Sequence, residues 1–260
     1  MRSLSIAATG MLAQQLNVEV ISNNLANMNT TGYKRQRAEF QDLLYQDMRQ
    51  VGATSSDTGT IVPSGVQLGA GVHSGTVYRI TEQGSMISTE NRLDVAIEGR
   101  GYFQVLRPDG TTAYSRAGAF QLGPTGEIVT ADGYTLLPAI TIPNATEVTI
   151  NESGQVLAKL PGQTSPTNVG QIELALFAND GGLRALGDNL FEETPASGAP
   201  TTGTPGSNGF GTLLQGFLES ANVNAVSEIT NLIAAQRAYE LNSKVIETSD
   251  QMMSTISNLR

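Results

Sequence analysis

Large apolar residues recur at helical spacing at both ends of the chain and alternate with polar ones in its middle. Toward the C-terminus one row is Leu232, Tyr239, Ile246 and Met253, and a neighbouring row is Leu241, Val245, Met252 and Leu259. Steps of four and seven keep such residues on one helix face. Asn224 can cap the start by accepting from free amides of the first turn. Glu240 and Lys244 add an i,i+4 pair in the favourable order. The spacing predicts a helix from 224 to 259, about 54 Å long at 1.5 Å per residue. At the other end Leu4, Ala8, Met11, Val18, Ile21 and Leu25 make an apolar stripe, interrupted by Gln15 and Ser22. The run from Asn23 to Gly32 is rich in Asn, Thr and Gly, which favour turns and left-handed caps, so the helix should stop there.

The middle reads as β structure. Leu93, Val95 and Ile97 alternate with Asp94, Ala96 and Glu98, as in a half-buried strand, and Ile172, Leu174 and Leu176 repeat the pattern. Pro108-Asp109-Gly110 predicts a turn after the Tyr102–Leu106 strand: Pro fixes φ, Asp bonds its own backbone and Gly supplies positive φ. Pro124-Thr125-Gly126, Asp132-Gly133 and Ser153-Gly154 punctuate in the same way. Residues 195–211 are uncharged and rich in Pro, Gly, Ser and Thr, and are expected to form a linker or exposed loop.

Breakers divide the chain. All ten Pro lie between Pro63 and Pro205, and residues 217–260 contain neither Gly nor Pro, so both ends are free to be helical. Composition then narrows the chemistry. The 260 residues carry 24 acidic and 15 basic side chains, a formal net charge of -9, which disfavours a general nucleic-acid binder. No Cys and a single His, His73, remove disulfide frameworks, thiolate zinc sites and multi-His metal clusters. No stretch reads as a membrane span, because Ser, Thr, Gln and Asn interrupt the uncharged N-terminal run, and no cleavable secretory signal is evident. Composition alone therefore places the chain in the cytoplasm, unless it leaves by a route that reads no cleaved signal.

Candidate chemistry is sparse. Gly69-Ala70-Gly71-Val72-His73-Ser74-Gly75 has Ser74 where a dinucleotide loop needs its third Gly, and reads as a turn or ribbon. Asp94 and Glu98 could be imagined as a hydrolytic carboxylate pair, but an exposed strand face is the simpler expectation. His73 is expected at a surface or interface. Lys34, Arg35 and Arg37 form the only basic cluster, which fits contact with an acidic neighbour and plain solvation equally. No convergent acid, base and nucleophile set appears, so neither an enzyme nor a cofactor is expected. A lone amphipathic helix buries only one face, so the ends should be weakly ordered until they pack on each other and on further copies. On pattern alone an intramolecular hairpin and an assembly contact fit the stripes equally. A secreted β-rich adhesin would account for the Gly- and Thr-rich centre, but not for helical stripes at both ends.

Four runs bear a family resemblance. Ile21 to Arg35, with its Asn-Asn-Leu-Ala-Asn core, resembles the N-terminal signature of the bacterial flagellar rod and hook proteins. Asp94–Val105 and Ser115–Phe120 resemble that family's central strand motifs. Ser220–Asn224 with Ile233–Lys244 resembles its C-terminal helix signature. Tyr45–Gln50, Ser55-Ser56, Pro63–Gly69, Pro138–Pro143 and Ser197–Pro200 are similar to segments of its distal-rod members, whereas His73–Arg79 departs from the pattern.

The resemblance implies an α+β fold in which long N- and C-terminal helices pack as a coiled-coil-like pair beside a central all-β domain rich in turns. The implied organisation is an inner-tube helix over 1–30, an extended or hairpin connection over 31–85, the β domain over 86–215 and the second inner-tube helix over 216–260. It further implies a structural protein, exported through the flagellar type III apparatus without a cleaved signal. Such subunits polymerise into a rigid hollow tube that crosses the periplasm and outer membrane, transmits torque and encloses the export channel. Implied partners are further copies, proximal rod proteins, the hook protein and hook–rod junction, and the ring bushings of the peptidoglycan and outer membrane; a proximal rod or hook subunit is the alternative. Expected subunit contacts are Leu4, Met11, Val18, Asn24, Leu25 and Asn27 at one end, and Leu232, Tyr239, Leu241, Val245, Ile246 and Met253 at the other. The segment from Tyr45 to about Leu68 is the candidate for locking neighbours into a straight rod.

Overall fold

The computed structural model describes residues 2–49, 64–142, 147–162 and 165–258. Residues 50–63, in the middle of the segment assigned to straightening the rod, lie outside the described residues, as do Pro143 and Leu259. Helix α1 spans Arg2–Ala26 and helix α2 spans Ala225–Asn258. At the start of α2 the Asn224 side-chain oxygen accepts from the Ser227 amide at 3.1 Å, the expected cap. After α1 the Thr30 amide donates to the Asn27 carbonyl at 3.0 Å, and Gly32 turns the chain at φ +69°. A Cβ at Gly32 would stand 2.9 Å from the backbone of Arg116 and Ala117, so both dihedral and space demand glycine. No helix among the described residues is long and apolar enough to cross a membrane.

The chain forms two compact units. The first comprises residues 1–25, 36–78 and 224–260. It holds both helices, a ribbon pairing Gln36–Asp42 with Val72–Arg79, and an antiparallel ribbon of Tyr45–Arg49 with Val66–Gly69. The glycine-rich run at 69–75 is thus a turn and ribbon, with His73 exposed.

The second unit comprises residues 26–35 and 79–223. Its main sheet is antiparallel and centres on the hairpin Tyr102–Leu106 with Thr112–Ser115. The hairpin turns where expected: Gly110 has φ +80°, and the Thr111 amide donates to the Asp109 carboxylate at 3.0 Å. Phe120–Leu122, Ile128–Thr130 and Thr135–Leu137 continue that sheet through the turns at Gly126 and Gly133. A three-stranded sheet of Glu147–Ile150, Gln155–Lys159 and Thr167–Gln171 turns first at Gly154.

The core divides between two clusters. Phe103, Val105, Phe120, Leu136, Ile172, Leu174 and Leu213 belong to one, with Phe103 and Phe120 edge to face at 5.0 Å. Tyr102, Tyr114, Phe177 and Leu183 form the other, so the Tyr102–Leu106 strand is covered on both faces. One expectation fails here. Val95, Ala96 and Ile97 are all buried, and of the two carboxylates expected on an exposed face Glu98 is exposed but Asp94 is buried. The Asp94 carboxylate accepts from the Thr89 hydroxyl at 2.6 Å and the Asn91 amide at 2.9 Å, a local turn brace. Residues 195–211 are largely exposed, as expected of a loop, but are tied down where Thr201–Gly203 pairs with Leu174–Leu176 and where Ser197 is buried. Alternation reports one covered face, and sheets covered twice escape it.

Candidate functional site

The most concentrated chemistry in the second unit is a buried triad. Lys34 Nζ lies 2.5 Å from Glu219 Oε1, and Arg116 Nε lies 2.6 Å from Glu219 Oε2. The Lys34 and Arg116 side chains are 6 % exposed and that of Glu219 is 1 % exposed. Two cations share one carboxylate, and backbone carbonyls solvate the excess positive charge. Arg116 donates to the carbonyls of Ile97, Gly99 and Gly101, and Lys34 donates to that of Glu82 at 2.8 Å. Glu219 also accepts from the Gly84 amide at 2.9 Å. A buried charge is tolerated only when its remaining hydrogen-bonding capacity is met, and here it is. Burial pushes the Lys34 ammonium below its ordinary range, partly offset by its bond to Glu219. For Glu219, burial pushes upward, but the charges and hydrogen bonds of Arg116 and Lys34 outweigh it and hold the carboxyl below the ordinary range.

The triad ties together the segments that adjoin the helices in sequence. The Gly32 amide donates to the Glu219 carbonyl at 2.8 Å. The Asn222 side chain accepts from the Arg35 amide at 2.7 Å and donates to the carbonyls of Ile80 and Glu82, both at 2.9 Å. Nearby, Arg79 donates to the Leu183 carbonyl and stacks 4.7 Å from the Phe191 ring centre. The basic cluster is therefore not uniformly a solvated or intersubunit patch, because Lys34 is internal. Its partner lies 185 residues away, which no local pattern reveals.

In the first unit the helices run antiparallel along one seam. Ser3 faces Ser249 with hydroxyls 3.4 Å apart, Gly10 faces Asn242, and Asn24 donates to Glu228 at 3.3 Å. Successive contacts are seven and then fourteen residues apart on both helices, the heptad spacing of a coiled coil. A Cβ at Gly10 would approach Asn242 to 2.9 Å, so at this level the pair meets through a small and a polar residue. Ala7, Ala13, Val20 and Ile21 on α1 and Ala235 on α2 are buried as well. Asn24 also brackets one residue of the neighbouring strand, accepting from the Gln36 amide and donating to the Gln36 carbonyl, both at 2.8 Å.

The expected contact residues divide by this seam. Asn24 is buried; Leu4, Met11, Val18, Leu25, Asn27, Leu232 and Ile246 are half-buried; Tyr239, Leu241, Val245 and Met253 are exposed. Val18 and Tyr239 come together at a groove of about 370 Å³, which Gln15, Glu19, Gln236 and Glu240 also line. Sequence reading missed Arg116, Glu219 and Asn222 as structural residues. Their only signal was position: Arg116 and Asn222 fall inside motif runs, and Glu219 immediately precedes one. Among the described residues no group of three His, Asp or Glu could hold a metal ion.

Comparison with known proteins bears on the same regions. Residues 4–34 match the family described as flagella basal body rod protein. Residues 96–158 match the flagellar hook protein FlgE/F/G D1 domain. Residues 214–259 match the flagellar basal body rod FlgEFG protein C-terminal family. The flagellar basal-body rod protein FlgG of Caulobacter vibrioides is 62 % identical over 261 residues, covering both chains completely. The FlgG of Agrobacterium fabrum is 55 % identical, covering 99 % of this chain and 98 % of its own. That of Bacillus subtilis is 40 % identical, covering 100 % and 99 %.

Proposed function

The chain belongs to the flagellar basal-body rod protein family, and from that membership we propose that it is the structural subunit of the distal rod. In this reading it polymerises into a rigid hollow tube across the periplasm and outer membrane. The tube encloses the export channel and transmits torque. The observation that carries the reading is the division of labour on α2. Glu228, Ala235, Asn242 and Ser249 serve the intramolecular seam and Leu232 and Ile246 are half-buried, while Tyr239, Leu241, Val245 and Met253 stay uncovered. Large apolar side chains left exposed along a helix belong to an interface with another molecule. Contacts that repeat without closing then build a helical tube. Further partners in this reading are proximal rod proteins, the hook and its junction, the ring bushings and the export apparatus, reached without a cleaved signal.

Electron microscopy of the purified protein at rising concentration tests this, with circular dichroism at each step. Straight tubes, with helicity that grows as they form, are expected. Curved tubes would move the assignment to the hook. Monodisperse particles with full helicity at every concentration would overturn it.

A further inference from the structure

Ser249 faces Ser3, next to the first described residue of α1, and α2 runs on over residues 250–258, about 13 Å past that contact. Within the pair the seam positions of α2 are Glu228, Ala235, Asn242 and Ser249, all small or polar. The next heptad position is Ile256, large, apolar and 65 % exposed. Met252 and Met253 flank it, also exposed, and no charge interrupts Gln251 to Asn258.

The two flanks of the seam differ. At 3.6 residues per turn, Leu241, Val245 and Met252 fall on one side of the seam line. Tyr239 and Gln236 fall on the other, where they line the groove with Val18. Charges divide likewise: Arg237 and Lys244 lie toward the ridge, Glu240, Glu247 and Asp250 toward the groove, with Glu19 on α1 at its rim. A ridge on one flank and a groove on the other cannot satisfy each other within one molecule.

We infer that the occupant of the groove is a second copy of this chain, whose Met252 and Ile256 overhang seats against Val18 and Tyr239. This rests on the proposed polymeric function and specifies its contact. Flexible thioether side chains suit an irregular groove, and sulfur packs favourably against an aromatic ring. The contact is heterologous, so it propagates from copy to copy. Bringing Met252 level with Tyr239 staggers neighbours by about 20 Å along the helix axis.

The chain has no cysteine, so engineered pairs report without background. A Met252→Cys, Gln236→Cys double variant should, on oxidation with diamide, give a reducible ladder of dimers and higher oligomers. The two sites are sixteen residues apart on one helix, about 24 Å, too far for a disulfide within one copy. A Val226→Cys, Gln236→Cys variant is the control and should link several-fold less. Equal linking by the control overturns the pairing. Straight tubes without a ladder overturn the pairing and leave the rod assignment standing. Neither tubes nor ladder at any concentration overturns both.

Discussion

Lys34 and Glu219 stand 185 residues apart in sequence, and their side chains meet at 2.5 Å out of reach of solvent. Arg116 closes on the other carboxylate oxygen. One acidic residue thus anchors two basic ones, and the backbone from Glu82 to Gly101 supplies the remaining partners. The arrangement makes the three side chains unequal, and that inequality can be measured.

Glu219→Gln leaves two buried cations without a counter-charge and should lower stability by about 3–5 kcal/mol. Lys34→Met leaves the Arg116–Glu219 pair balanced one to one and should cost clearly less. Urea unfolding of both variants checks the order. Equal losses, or a greater loss for Lys34→Met, would contradict the description of Glu219 as the shared anchor.

The triad also sets an acid limit. Glu219 has a folded pKa below its ordinary 4.5, so its contribution is fully present above that value. It fades as pH falls through the depressed folded value, because the unfolded state then binds the proton more tightly. Unfolding free energy measured downward from pH 6 should fall more steeply in the parent protein than in Glu219→Gln. Parallel profiles would remove Glu219 from the acid response.

Gly118 tests packing separately from backbone dihedral. A Cβ there would lie 1.7 Å from the Val95 carbonyl oxygen, a backbone atom that cannot step aside. Gly118→Ala should cost about 3 kcal/mol or more. Gly216, at φ +78° with open space around it, should cost only about 1 kcal/mol as Gly216→Ala. Thermal melts of the two variants should be well separated.

Gly10 does the same for the helical seam. Its nearest neighbour is the end of the Asn242 side chain, which can move, so Gly10→Ala should be tolerated. Gly10→Leu should force the helices apart and lower the melting temperature of the 222 nm helix signal. A melt of Gly10→Leu unchanged from the parent would mean that the seam does not hold the pair.

The sequence by itself determined the elements whose causes are local. Periodicity and the Asn224 cap mark α2, and the Asn-rich run ends α1. Pro, Asp and Gly place the turns at 108–110 and 124–126. Each depends on residues within a few positions of one another, which a linear reading can see. Only the tertiary structure decided that Lys34 is an internal ion rather than a surface one, and that Asp94 is buried. It also decided that Glu228, Ala235, Asn242 and Ser249 lie along the α2 seam, that Leu232 and Ile246 are half-buried, and that Tyr239, Leu241, Val245 and Met253 are left exposed. Those outcomes depend on which distant surface covers a residue. Pairing across 185 residues is set by the packing of whole sheets, whereas a helix stripe states how much apolar surface needs covering without naming what covers it.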